Sequence, residues 1–341
     1  MKIKIFAILL GIAIIALFSI SKQAEATPMR FSVEPVIEDN QLNKEHTYFD
    51  LLMNPNQEQI LKINMRNNTD ENLIIIPDIN TATTNINGVV EYGSAAKQNS
   101  SDAKYRIEDI VKTSVNEITI PSNGQTTLEL EVKMPSERFK GLIAGGITLH
   151  EKDEINNTNK NRIKEPGLSI ENKYAYVLAI VLQEDTLDIS SELKLTNVEP
   201  SQLNSRNVIK ATIQNPKPMY VNQLSIDSRI TKRGDKKVLY KSKKDNMQLA
   251  PNSSFDYPIS LNGEKLKPGK FTLELLCRSS DQTWKFTRDF EIKEDVSKKL
   301  NKTDVSVKNN DSTNYMYTLL ALVVILILFI IIKKFDKHRN L

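Results

Sequence analysis

Three stretches of this 341-residue chain gather side chains able to bind or react. Tyr48-Phe49-Asp50-Leu51 sets two aromatic rings beside a carboxylate, which suits stacking on a sugar ring and hydrogen bonding to its hydroxyls. Ordinary strand packing, with Asp50 closing a turn, accounts for the same residues. Thr81 to Tyr92 is rich in hydroxyls and amides, and Asn85, Asn87 and Tyr92 are its candidates for glycan contact. Asn87-Gly88 between Ile86 and Val89 is also a strong hairpin signal, and Asn85 is placed to satisfy its own turn. The third stretch packs Lys232, Arg233, Lys236, Lys237, Lys241, Lys243 and Lys244 into thirteen residues around Arg233-Gly234-Asp235. That tripeptide falls at an expected hairpin tip and is the recognition sequence of many integrin ligands, although Gly-Asp is common turn chemistry too. The cations suit teichoic acids, acidic glycans or an acidic neighbouring domain, or else simply a solvated strand edge.

Catalytic constellations are missing from the sequence. It has no Gly-x-Ser-x-Gly, His-Glu-x-x-His, Cys-x-x-Cys or P-loop. Gly141 to Gly146 carries three glycines, but Ile147-Thr148-Leu149 follow, so the glycines read as close backbone approach in a strand and not as a phosphate cradle. A single cysteine excludes a disulfide scaffold and a Cys-rich metal site, and three histidines leave little for acid–base or zinc chemistry. Cys277 shares a strand face with Phe271, Leu273 and Leu275, which predicts a buried, poorly reactive thiol. The expectation is a binding protein without catalysis, cofactor or metal. Two carboxylates converging from distant segments, as in a glycan-cleaving enzyme, is the minor alternative.

The net charge of +4 invites a nucleic-acid reading until it is divided along the chain. Residues 1–26 carry +2 and residues 333–341 carry +3, so residues 27–314 are left at −1. Nucleic acid is thereby excluded as a partner. Lys2, Lys4, the apolar run Ile5 to Ile20 and Ala24-Glu25-Ala26 predict a signal peptide over 1–26. Tyr315 to Ile332 is uncharged and predicts a membrane span over 315–332, with Lys333 and Lys334 keeping the tail 333–341 cytoplasmic. No Leu-Pro-x-Thr-Gly pentapeptide precedes that span, so retention in the membrane is expected without covalent attachment to a wall.

Between the two ends the chain alternates apolar and polar residues, as at Leu61, Ile63 and Met65, at Leu128, Leu130 and Val132, at Ile209, Ala211 and Ile213, and at Phe255, Tyr257, Ile259 and Leu261. Trp284, Phe286, Phe290 and Ile292 share a further face. Asn87-Gly88, Asn123-Gly124, Asn262-Gly263 and Pro268-Gly269 supply turns. The pattern predicts an all-β chain of β-sandwiches, with no long amphipathic helix and an ambiguous stretch at Ile107 to Val111. The expected divisions are a first domain at 27–150, a linker or long loop at 151–172, a second domain at 173–294 and a disordered stalk at 295–314. Residues 27–186 hold 16 cations and 24 anions, whereas residues 187–294 hold 19 and 13.

The landmarks, taken in order, resemble the WxL-interacting proteins of Gram-positive bacteria. In the first half they are Phe31-x-Val33-x-Pro35, Asn40-Gln41, Tyr48-Phe49-Asp50-Leu51, Thr81-Ala82-Thr83-Thr84-Asn85-x-Asn87-Gly88 with Tyr92, Ile120-Pro121 and Phe139-Lys140-Gly141-Leu142-Ile143-Ala144-Gly145-Gly146-Ile147. In the second half they are Asn172, Tyr176, Ala179, Asn215, Tyr220, Ala250-Pro251-Asn252-Ser253-x-Phe255, Leu266-Lys267-Pro268-Gly269 and Trp284-x-Phe286 with Phe290. The resemblance implies two tandem Ig-like domains, the first binding peptidoglycan or WxL-domain proteins and the second a host molecule such as an extracellular-matrix protein. A wall-assembly scaffold that touches no host ligand is the alternative it leaves open.

Overall fold

Period-two alternation builds the walls of two sandwiches. Leu61, Ile63 and Met65 are buried while Lys62, Asn64 and Arg66 face water, and Leu128, Leu130 and Val132 repeat the arrangement on the neighbouring strand. The computed structural model describes residues 29–98, 100–152, 175–186, 189–280 and 282–307. The expected signal peptide, span and tail lie outside the described residues. Among the described residues, no helix is long and apolar enough to cross a membrane.

The first half runs through β1 (Phe31–Pro35), β2 (Phe49–Leu52), β3 (Glu58–Asn67), β4 (Leu73–Thr81), β5 (Thr83–Thr84), β6 (Val90–Glu91), β7 (Ser100–Ser101), β8 (Val111–Thr113), β9 (Ile118–Ile120), β10 (Gln125–Lys133), β11 (Leu142–Glu151) and β12 (Ala175–Gln183). The ambiguous stretch resolves as a one-turn helix, α1 (Ile107–Ile110), leading into β8. One sheet has the order β1-β3-β10-β8 and the other β2-β12-β11-β4-β9. Phe49, Leu51, Ile107, Ile147, Ile180 and Leu182 belong to the core between them.

The second half runs through β13 (Lys194–Leu203), β14 (Arg206–Asn215), β15 (Val221–Lys232), β16 (Val238–Leu249), β17 (Ser253–Ser260), β18 (Gly269–Arg278) and β19 (Thr283–Ile292), and ends on α2 (Glu294–Thr303). Its sheets have the orders β13-β14-β17-β7 and β16-β15-β18-β19. Ile213, Ile226, Tyr257, Leu273 and Cys277 belong to the core they enclose. Cys277 is fully buried, and desolvation pushes its thiol up to about 12.

Two expected divisions are corrected. The sequence pattern starts the second domain at residue 173, but β12 lies in the first sandwich, antiparallel to β11 and parallel to β2. Its Ile180 and Leu182 fill the first core, so the segment at 151–172 joins neighbouring strands of one sheet, and the boundary falls after Gln183. The stalk expected from 295 begins instead with α2. That helix packs Leu300 on the second core and is tied to it by hydrogen bonds. Ser297 Oγ and Asn301 Nδ2 donate to the Leu266 carbonyl at 2.7 and 2.9 Å, and Asn301 Oδ1 accepts from Leu266 N at 2.9 Å. Just beyond it, Asp304 Oδ2 accepts from Asn207 N at 2.8 Å.

The two sandwiches interlock. While β12 sits in the first, β7 leaves the first half to pair with β17 at Ser101↔Ser253. The β5–β6 hairpin is wedged between them. Thr84 Oγ1 accepts from Ala250 N and shares a hydrogen bond with Ser253 Oγ, each at 2.9 Å. Gln248 N donates to the Gly88 carbonyl and Leu142 N to the Pro218 carbonyl, at 2.9 and 2.8 Å. Ala82, Ala144 and Ala250 form a small buried cluster at the seam, with Val90, Tyr92 and Tyr220 packed on it.

Candidate functional site

The Tyr48–Asp50 stretch enters β2, the edge strand of the five-stranded sheet. Gln41 clamps it from the side: Nε2 donates to the Tyr48 carbonyl at 2.8 Å, and Oε1 accepts from Asp50 N at 3.0 Å. Strand alternation then separates the three candidates. Phe49 is fully buried in the first core, which removes it from any ligand surface, whereas Tyr48 and Asp50 are only half-buried on the outer side. His46 stacks on Tyr48, with ring centroids 4.6 Å apart and planes 17° apart. Its Nδ1 lies 3.4 Å from Asp50 Oδ2, ion-pair range rather than a good hydrogen bond. Asp50 Oδ1 accepts from Gln183 Nε2 of β12 at 3.2 Å.

This patch abuts the seam. Tyr92 lies over Gly146 of β11, where an added Cβ would come within 2.8 Å of Tyr92 Cβ, and its hydroxyl meets that of Tyr220 at 3.2 Å. Burial raises all three tyrosines above their ordinary value, Tyr220 well above it. The Asp50 charge adds to the rise at Tyr48 and, as a smaller contribution, at Tyr220. Tyr48, Asp50, Tyr92 and Tyr220 thus share one aromatic and acidic neighbourhood. It offers ring faces and hydrogen-bond acceptors, the equipment for holding a polar ligand. The tyrosine hydroxyls are held protonated, so they are poor nucleophiles.

Asn85 and Asn87 sit in the turn of the wedged hairpin. Asn85 Oδ1 accepts from Asn87 N at 2.8 Å and from Val89 N at 3.2 Å, and its Nδ2 donates to Glu91 Oε1 at 2.7 Å. Asn87 Oδ1 accepts from Lys244 Nζ of the second sandwich at 3.4 Å. Gly145 and Gly146 are needed for close approach, because a Cβ on Gly145 would overlap Ile107 Cγ2.

The cationic stretch forms the β15–β16 hairpin, and Arg233-Gly234-Asp235 occupies its exposed tip. Gly234 has φ +81, with open space where a Cβ would be. Asp235 N donates to the Lys232 carbonyl at 2.9 Å, and Asp235 Oδ1 accepts from Lys237 N at 3.1 Å. Arg233 Nε is 2.9 Å from Asp289 Oδ2 on β19. β16 is a sheet edge, and Lys241 and Lys243 lie along it. Lys232, Lys236 and Lys237 are exposed, with no ion pair among the described residues. The structure therefore holds two separate polar surfaces, the seam patch and the cationic tip. Sequence reasoning missed His46, Gln183 and Tyr220 as members of the first. His46 stands at i−2 and i−4 from Tyr48 and Asp50, the only local signal available.

Among the described residues, no group of three or more His, Cys, Asp or Glu side chains could hold a metal ion. Two interlocked sandwiches with polar, aromatic and cationic surfaces define a β-sandwich binding protein. Residues 31–151 match the model of the WxL Interacting Protein peptidoglycan binding domain, and residues 165–302 that of the WxL Interacting Protein host binding domain. The chain belongs to the WxL-interacting protein family. Both matched families are binding domains.

Curated proteins gave no match. Solved structures similar to part of the chain include a chaperone–tip adhesin complex of CFA/I fimbriae, at 10% identity over 76% of this chain and 99% of that one, with TM-score 0.32. A Pseudomonas aeruginosa CupB2 chaperone is 11% identical over 71% and 96%, with TM-score 0.27. The E. coli chaperone DraB is 14% identical over 72% and 95%, also with TM-score 0.27. Scores this low add nothing to the fold described above or to the choice of a partner.

Proposed function

We propose that the chain is a membrane-anchored cell-surface binding protein. The signal peptide at 1–26 exports it, and the apolar run at 315–332 holds it in the membrane with the tail 333–341 inside. Its first sandwich engages peptidoglycan or a WxL-domain protein, and its second engages a host or partner molecule, an extracellular-matrix protein being one candidate. The observation that carries this reading is the ordered pair of binding-domain families over 31–151 and 165–302. Within the first sandwich, the His46–Tyr48–Asp50 patch is the surface assigned to the wall polymer, because it joins ring faces to a half-buried carboxylate.

The test uses the full chain in mild detergent, pulled down with purified cell-wall sacculi, a WxL-domain protein and matrix proteins in parallel. Retention on sacculi or the WxL domain, with Tyr48→Ala weakening it roughly three- to tenfold, is expected from the loss of about 0.5–1.5 kcal/mol of aromatic contact. Retention on none of the three would refute the reading. Retention that Tyr48→Ala leaves unchanged would move the site elsewhere on the sandwich.

A further inference from the structure

We propose that the cationic end of the second sandwich docks on anionic phospholipid headgroups of the membrane that anchors the chain, an inference that rests on the anchoring proposed above. The topology places the two ends of this sandwich apart. Asn215, Tyr220, Ala250 and Ser253 lie at the seam. The β15–β16 turn, the loop 262–268 and the turn at Asn204–Ser205 lie at the far end, beyond the opposite termini of the same strands. The chain leaves from this far end. Val305 N donates to the Ser205 carbonyl at 3.0 Å, and Gly263 faces Ser306, 3.4 Å from its carbonyl oxygen to the position of an added Cβ.

Docking of α2 fixes how far the membrane can be. Val307 is buried against the domain, and the uncharged run begins at Tyr315. Eight residues cover at most roughly 29 Å at full extension. The end of the sandwich from which the chain leaves is therefore tethered within roughly 29 Å of the start of that run.

Its chemistry fits that position. Lys232, Lys236 and Lys237 project at the hairpin tip, and Lys267 and Lys270 are exposed on the adjoining loop and the start of β18. Lys270 is joined to the tip through its carbonyl, which accepts from Arg233 N at 3.0 Å. Of the anions at this end, Asp289 is paired with Arg233, Asp304 accepts from Asn207 N and Glu264 accepts from the Tyr240 hydroxyl, while Glu291 lies opposite Lys270 in the strand register. Asp235 is the carboxylate within the tip itself. Val238 and Leu239 are exposed beside these cations, and Val305 is 72% exposed at the chain's exit. Cations interleaved with exposed aliphatic side chains match the boundary between headgroups and acyl chains. Charge over the whole molecule acts the same way, since the second half is basic and the first half, at the other end, is acidic. Docked like this, Arg233-Gly234-Asp235 faces lipid and not a host cell.

The test uses the full chain reconstituted into vesicles. An Asp235→Cys variant carries a donor fluorophore at the tip, because buried Cys277, its thiol pushed up to about 12, does not label. Energy transfer to a headgroup acceptor is compared between phosphatidylcholine vesicles and vesicles with roughly one-third phosphatidylglycerol. The expected result is transfer at least about twofold higher with phosphatidylglycerol, returning to the neutral level in about 0.5 M salt. Lys232→Glu/Lys236→Glu/Lys237→Glu should abolish the difference without moving the unfolding midpoint, since all three side chains are exposed. Equal transfer in the two lipids, or a difference that survives the charge reversal, overturns docking. Flotation with phosphatidylcholine vesicles reads the anchor separately. If that fails, flotation with phosphatidylglycerol vesicles alone still supports docking, and flotation with neither overturns it.

Discussion

Individual residues at the seam and in the cores do their work through exclusion. Gly146 leaves the space that Tyr92 occupies, so Gly146→Ala forces two packed segments apart. Its expected cost is about 1–3 kcal/mol, read as a lower midpoint in urea unfolding with an unchanged slope. Cys277 acts through its proton. The folded protein raises the thiol from 9.0 to about 12, so between those values the native state keeps a proton that the unfolded chain has released. Stability is fully present below about pH 9 and is lost as pH rises toward 12, by about 1.4 kcal/mol per unit for the one group. Unfolding midpoints measured from pH 8 to 11 should therefore fall, and Cys277→Ala should flatten part of the fall. Tyr48, Tyr92, Tyr220, Tyr240 and Tyr257, which burial raises in the same direction, contribute to the remainder. A pH profile identical in Cys277→Ala would rule the thiol out as a contributor.

At the scale of elements, what holds each one decides whether its sequence announces it. Alternation such as Leu128, Leu130 and Val132 needs only a sheet with one wet face, so those strands were legible, as were the turns at Asn123-Gly124 and Asn262-Gly263, whose asparagines adopt φ of 51 and 55. Helix α2 was not, because Ser297 and Asn301 carry much of its docking and the apolar stripe beside them is only Val296 and Leu300. Asn301→Ala should cost about 1–3 kcal/mol, since the Leu266 amide would lose its partner in a largely covered site. Faster hydrogen exchange over 294–303 would show that the helix had been released, and exchange unchanged there would contradict the account. Strand β7 was equally hidden, being two serines paired with a distant edge. For the seam patch, Tyr48 and Asp50 were legible as local chemistry. Tyr220 was not, because 128 residues separate it from the Tyr92 hydroxyl it meets.

The molecule as a whole does not divide where its two family matches do. The first match ends at residue 151, yet β12, within the second match, stands between β2 and β11 in the first sandwich. Leu178, Ile180 and Leu182 of β12 belong to the first core. Burying three such side chains contributes about 5–9 kcal/mol, as much as a typical domain's entire net stability. A fragment of residues 29–151 would also leave one side of β11 unpaired and remove the strand that β2 pairs with in the sheet. That fragment is expected to be unfolded or aggregated. Residues 29–186 restore the sheet but expose the seam at Ala82, Ala144 and Tyr92, so they should fold with reduced stability. Residues 29–307 contain both cores and both exchanged strands, and should unfold in a single cooperative transition. Proton NMR dispersion and urea unfolding of the three lengths make the comparison. Native-like dispersion with a cooperative transition in the shortest fragment would show that β12 is dispensable, and with it the interlock that makes the two sandwiches one unit.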